Sequence, residues 1–222
     1  LAGWLTGMAP LLRGMVAGVL VVLTVGAGMI HSYRIGVTRY SIPLQGLNHR
    51  MRVVHLSDIH LGHLRGKRFF RRILEKTREA GAEAVFITGD LFDGTKQLRP
   101  ETLAMLKTLG IPVFFVEGNH DRYTGAQTIK TMLREAGVQV LENEVVEWNG
   151  LQVAGLNHML PEPGTVDMHG IKGETMKDVL PQLSIRKEMP VVLLHHSPDG
   201  IPLAHDHGVD LYLAGHTHGG QQ

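Results

Sequence analysis

MRVVHLSDIH, residues 51–60, opens as a short apolar strand from Met51 to Leu56 and runs straight into Asp58-Ile59-His60. Four further places in the chain repeat that pattern of an apolar run ending in clustered polar residues. Ala84 to Thr88 leads into Gly89-Asp90, and Ile111 to Val116 into Gly118-Asn119-His120-Asp121. Val191 to Leu194 leads into His195-His196, and Val209 to Ala214 into Gly215-His216-Thr217-His218. A single glycine-flanked Asp, Asn or His commonly does no more than shape a turn. Paired Asp/His and His/His spacings at five separate strand ends are not explained that way. In open α/β sheets the carboxyl ends of the strands share one rim, where ligands bind. Five clusters distant in sequence are therefore expected to meet in one place.

The segments between the strands read as helices. Arg65 to Ala80 places Phe69, Phe70, Ile73, Leu74 and Thr77 on one face and stops at Gly81. Glu101 to Leu109 follows Pro100 and ends at Gly110. Thr124 is expected to cap a helix reaching Ala136. Gly173 to Leu183 is helical in part. Val145 to Trp148 and Leu151 to Ala154 flank Asn149-Gly150, a strong hairpin signal. Strands alternating with helices make this an α/β domain, a central sheet with helices outside it and an antiparallel portion from the hairpin.

Upstream, GMVAGVLVVLTVGAGMI (residues 14–30) is uncharged and lacks a polar stripe. At about 1.5 Å per residue it approaches bilayer thickness once Ser32 and Tyr33 extend it. A signal peptide would end in a better cleavage site than Ala27-Gly28-Met29. The expected organisation is a membrane anchor over 1–34 with one transmembrane helix at about 14–33, a linker or edge strand over 35–50 containing Pro43, and a catalytic domain over 51–222. Arg13 precedes the apolar run, whereas Arg34, Arg39, Arg50 and Arg52 follow it, a balance that leans towards a cytoplasmic catalytic domain without fixing the orientation. A formal charge of +1 over 222 residues argues against a dedicated nucleic-acid binder. The absence of cysteine excludes disulfides, thiolate metal sites and cysteine nucleophiles. The chain begins at Leu1 and stops just beyond GHTH, so it reads as a fragment whose domain continues past Gln222.

Asp58 and His60 lie two apart, as do His216 and His218. On extended backbone each pair would point the same way. Imidazole nitrogen combined with carboxylate oxygen suits Mn²⁺, Fe or Zn²⁺ better than Mg²⁺ or Ca²⁺. DIH, GD, GNHD, a histidine before a proline and GHTH, in that order from Arg52 to Gln221, resemble the calcineurin-like metallophosphoesterases. The ending GHTHGGQ behind an apolar helix resembles the bacterial membrane-associated branch, some of whose members act on lipid-linked substrates.

The resemblance implies a four-layer α/β/β/α sandwich, its last strands lying beyond this chain, and two divalent metal ions, manganese first, iron or zinc next. It implies Asp58, His60, Asp90 and His218 as ligands of one ion. Asp90, Asn119, His196 and His216 would bind the other, with Asp90 bridging. His196 is preferred to His195 because the family's histidine stands two before the proline. His120 would protonate the leaving group, Asp93 would orient it, and Asp121 would support the loop. The implied reaction is hydrolysis of a phosphodiester, phosphomonoester or pyrophosphate bond by a metal-bridging hydroxide, on a lipid- or nucleotide-linked substrate at the membrane, with no nucleic-acid partner. A nuclease of the same superfamily and a non-catalytic module on this fold are the alternatives. Arg65 and Arg68, from the basic run Arg65, Lys67, Arg68, Arg71, Arg72, and His195 are candidates for touching substrate. A solvated basic face is the plainer reading of that run. Single histidines such as His31, His49, His63, His158, His169, His205 and His207 are read as surface or packing residues, and His55 as core.

Overall fold

The computed structural model describes residues 9–159 and 174–218. The chain forms two compact units, residues 1–38 and 39–222.

The first unit contains helix α1 (Pro10–Ser32), 23 residues with proline in the first turn and none of them buried. By length and composition it could cross a membrane. Its two hydroxyls satisfy themselves within the helix: Thr24 Oγ1 donates to Leu20 O and Ser32 Oγ to Met29 O, both at 2.8 Å. That removes the cost of carrying a polar group on an apolar helix.

In the second unit, β1 (Val53–Leu56), β2 (Ala84–Thr88), β3 (Val113–Val116) and β4 (Gln139–Val140) form a parallel sheet in that order. The crossovers are α2 (Lys67–Glu79), α3 (Pro100–Lys107) and α4 (Asn119–Glu135). A second sheet begins with the hairpin β5 (Glu144–Trp148) and β6 (Leu151–Gly155), then adds β7 (Val191–Leu194) and β8 (Leu211–Leu213) parallel to β6. Two short helices, α5 (Met176–Val179) and α6 (Ile201–Asp206), belong to this half.

Alternation along the strands sorts the layers. Ala84, Phe86, Phe114 and Val116 meet Val153, Val192 and Leu194 between the sheets. Trp148 sets its edge against Phe86 and Phe114, with centroids 6.2 and 5.9 Å apart. The alternate residues Ala154, Val191 and Leu193 pack instead with Met176, Val179 and Ala204 of α5 and α6. On the first sheet Val85 and Ile87 are buried on the opposite face, as are Phe70 and Leu74 of α2, Leu106 of α3 and Leu133 of α4. The order is thus helix, sheet, sheet, helix. A buried cation ties α4 to the end of β3: Lys130 Nζ lies 2.7 Å from both Glu117 Oε2 and Glu142 Oε1.

Several elements differ from expectation. Strand and helix alternation alone points to one central sheet, whereas the two sheets of the four-layer sandwich are present, because β5 pairs only with β6 and starts a new layer. Helix α4 starts at Asn119, not after Thr124, and Gly125 (φ 123°) interrupts it. Thr124 Oγ1 accepts the amide of Gly94 instead. Residues 35–50 form no strand, while Leu44 and Leu47 pack at the margin of the inner core. His55 is exposed rather than core, its Nε2 2.7 Å from Thr88 Oγ1, because β1 is the sheet's edge strand.

Candidate metal centre

The carboxyl ends of β1, β2, β3, β7 and β8 carry the five polar clusters, and the two sheets bring these ends together. Asp58 accepts the amide of His216 at 3.1 and 3.2 Å on its two oxygens, joining the first loop of one sheet to the last loop of the other. The amides of Asp58 and His60 donate to the carbonyls of Gly89 and Asp90, and that of Gly215 to His196 O. Gly89 sits at φ 85°, and a Cβ there would lie 2.6 Å from Gly118 N and 2.8 Å from His196 Nδ1. Only glycine lets these loops approach so closely.

Two donor groups share one carboxylate. His60 Nε2 stands 3.7 Å and His196 Nε2 3.3 Å from Asp90 Oδ2. On the first side His218 Nε2 is 3.3 Å from His60 Nε2 and 3.5 Å from Asp58 Oδ1. On the second, Asn119 Oδ1 is 3.0 Å from His196 Nε2 and 3.1 Å from His216 Nδ1. Asp58, His60 and His218 make one set able to hold a cation, and Asp58, Asp90 and His196 another. His60, Asp90 and His120 also converge closely enough. The mixture of imidazole nitrogen with carboxylate and amide oxygen fits a borderline divalent metal.

Among the described residues seven non-glycine positions have positive φ, and five of them are Asp58, His60, Asp90, His216 and His218. Such backbone costs free energy and persists only where its surroundings enforce it. This also corrects the geometry expected for the two-residue spacings. Asp58 and His60 (φ 53° and 50°) and His216 and His218 (φ 70° and 48°) lie on left-handed turns, not extended chain, because β1 and β8 have already ended.

The buried side of the centre is electrostatically matched. His196 Nδ1 donates to Thr88 O at 2.7 Å, which directs Nε2 at Asp90 and Asn119. Burial opposes charge on both partners. The hydrogen bond and charge between them nonetheless raise the His196 pKa and hold Asp90 below the usual carboxylate range. Burial lowers His60 against the pull of Asp90. His120 presents a half-exposed ring, edge-on to His60 with centroids 4.7 Å apart. Its amide donates to Asp90 Oδ1 at 2.9 Å and its Nδ1 lies 3.3 Å from Asp93 Oδ1.

Asp121 is fully buried and accepts the amides of Gly118 and Phe92 at 3.0 Å and Leu91 at 3.4 Å, clamping the second and third loops together. Burial pushes its carboxyl up to about 6.

Two of the substrate candidates are placed elsewhere. Arg65 turns inward: its Nη1 donates to the carbonyls of Asp58 and Ile59 at 3.4 and 3.3 Å, and its guanidinium stacks over Phe69. A left-handed turn leaves carbonyls needing donors, and Arg65 supplies one. His195 is buried, its Nδ1 2.8 Å from the Tyr212 hydroxyl, since successive residues of β7 and its extension face opposite sides of the sheet. Arg68 is exposed on the outer arc of α2.

One residue was undervalued. His158 lies 5.9 Å from the His196 ring and 6.5 Å from His216, with its Nδ1 buried and without a hydrogen-bond partner among the described residues. Burial and the neighbouring histidines lower it to about 4. Its carbonyl accepts from Arg122 Nη1 at 2.7 Å. Its position just beyond β6 becomes informative only once β6 is known to run parallel to β7. The expected rim loop 161–173, with His169, and Gly219 and Gly220 lie outside the described residues.

The model of the calcineurin-like phosphoesterase family matches residues 51–220. An uncharacterized metallophosphoesterase of Helicobacter pylori is 31% identical over 81% of this chain and 48% of its own length. One from Aquifex aeolicus is 30% identical over 86% of this chain and 72% of itself. A transmembrane protein with a metallophosphoesterase domain from Danio rerio is 32% identical over 77% of this chain and 41% of itself. The chain spans about half the length of the Helicobacter protein. With the matched region covering every loop of the centre, the chain belongs to the calcineurin-like phosphoesterase family.

Proposed function

We propose that this chain is a phosphoester hydrolase that works with two divalent cations, manganese being the first choice. The observation that carries the reading is the position of Asp90 Oδ2 between His60 Nε2 and His196 Nε2. Asp58, His60, Asp90 and His218 would hold one cation, and Asp90, Asn119, His196 and His216 the other. Bound there, a cation pair neutralises phosphate oxygens and makes a water nucleophilic near neutral pH.

The remaining work falls to side chains. His120 protonates the leaving oxygen, with Asp93 keeping the imidazole oriented through Nδ1 so that Nε2 faces substrate. The hydrogen bond from the His120 amide to Asp90 couples the position of this acid to the bridging carboxylate. Asp121 and Arg65 hold the loops and touch no substrate.

A membrane location and a lipid-linked phosphate ester or diphosphate as substrate form the second part of the proposal. Support comes from α1, apolar and unburied over 23 residues, and from a relative named as a transmembrane protein. The arginines that follow α1 favour a cytoplasmic catalytic unit. The test is metal analysis of the purified chain, followed by turnover of a phosphodiester, a phosphomonoester, a lipid-linked diphosphate and single-stranded DNA with Mn²⁺. Two cations per chain and turnover of the lipid-linked diphosphate above the others are expected. Absence of metal-dependent turnover on every substrate would refute the hydrolase.

A further inference from the structure

Beside the centre lies a cationic surface that the chemistry above does not use. Lys67, Arg68 and Arg71 are exposed along the outer arc of α2, which has no acidic residue in its first turn. Lys96 and Arg99 are exposed on the segment after β2. The two segments adjoin. A Cβ on Gly66 would meet Gln97 Nε2 at 3.3 Å, and His63 Nδ1 is 3.4 Å from Lys96 Nζ. Leu64 belongs to the same segment, between His63 and Arg65, with 81% of its surface exposed.

A scattered exposed leucine needs no explanation. One set at a surface with five cations has the composition of an interfacial anchor, in which charge attracts anionic headgroups and an apolar side chain enters between them. A basic face that merely kept the chain soluble would gain nothing from the leucine. A nucleic-acid groove would place unstacked aromatic faces among its cations, but the nearby Phe69 is covered by Arg65.

We propose that this surface, Leu64 with Lys67, Arg68, Arg71, Lys96 and Arg99, docks on an anionic phospholipid bilayer. It flanks the loops bearing Asp58, His60 and Asp93, so docking would turn that edge of the metal centre toward the lipid. The inference deepens the membrane reading proposed above, but it requires neither α1 as an anchor nor hydrolysis.

The test uses the whole chain, which has no cysteine, so Leu64→Cys offers a single site for an environment-sensitive fluorophore. The labelled chain is mixed with vesicles of phosphatidylcholine, with or without phosphatidylglycerol. Flotation reports association, and quenching by lipid-borne nitroxide reports insertion at position 64. Quenching in the anionic vesicles only, lost at high salt, is expected. Lys67→Glu with Arg71→Glu should weaken docking by at least about 25-fold, taking about fivefold per charge, whereas Lys67→Arg with Arg71→Lys should retain it; circular dichroism checks that both remain folded. Flotation with neutral vesicles reports α1 separately. If only anionic vesicles bind and quench, docking stands and the anchor falls. A label that stays water-exposed in anionic vesicles, or is quenched equally in neutral ones, overturns the proposal. An unaltered response in the charge-reversed variant, or protection by an oligonucleotide but by no vesicle, overturns it too.

Discussion

The two sides of the candidate metal centre are built to different standards of enclosure. His196 has 0% side-chain exposure and Asp90 2%, and His196 is pinned through Nδ1 to a strand-end carbonyl. On the other side His218 is 45% exposed, and His60 and Asp58 13% each. A ligand whose second nitrogen is bonded inside the protein arrives oriented, and its outer partner raises its basicity. A half-exposed ligand keeps rotamer freedom and loses it on binding a cation. The difference teaches that the His196 side is preorganised by the fold, whereas the His218 side is completed by whatever binds. Asp90 belongs to both.

That contrast can be broken most severely at its shared member. Asp90→Asn should reduce kcat/KM by on the order of a thousandfold or more, since several kcal/mol of charge stabilisation would go. Metal analysis should show both cations weakened and circular dichroism an intact fold. Wild-type turnover in this variant would end the bridging role. Next comes His120→Ala, with an expected loss of roughly a hundred- to ten-thousand-fold in kcat at unchanged metal content. Asp93→Asn should fall between it and the parent chain in kcat, again at unchanged metal content.

The sharpest comparison pairs His196→Ala with His218→Ala. Imidazole added to the buffer should restore metal binding and turnover to the second, whose ring faces solvent, and not to the first, whose cavity is closed. Equal rescue of both would mean that the two sides are equally open to solvent.

The smallest effect concerns protons. Burial lowers His158 to about 4 and His195 to about 3. Both therefore lie below the pKa of about 6.5 expected in the unfolded chain. Through that window the unfolded state binds more protons, so stability is full above pH ~6.5 and falls as pH drops towards ~4. His158→Gln should flatten this acid limb by on the order of 2 kcal/mol, measured by denaturant titration in chelator. An unchanged limb would mean that His158 is solvated.

How much was legible follows from where the information resides. Period-two and helical patterning are local, so β2 and β7 stand where they were expected, and α2 buries Phe70, Ile73, Leu74 and Thr77 as its spacing requires. Helix α4 was misjudged because Asp121, three residues into it, bonds the amide of Gly118, a start signal hidden by the motif's chemistry. α6 and β4 were not anticipated; at six and two residues they carry too little periodicity to register. The inward turn of Arg65 and the burial of His195 were not legible, because charge and residue type do not say which way a side chain turns.

Residue order alone determined that five polar clusters follow five apolar strands and which atoms they offer, since strand ends and ligand types are local properties. Only the folded chain decided which strand belongs to which sheet, that one oxygen of Asp90 stands between two histidines, and that one side of the centre is sealed and the other open. Those outcomes depend on how layers pack, and packing joins residues that the linear order keeps far apart.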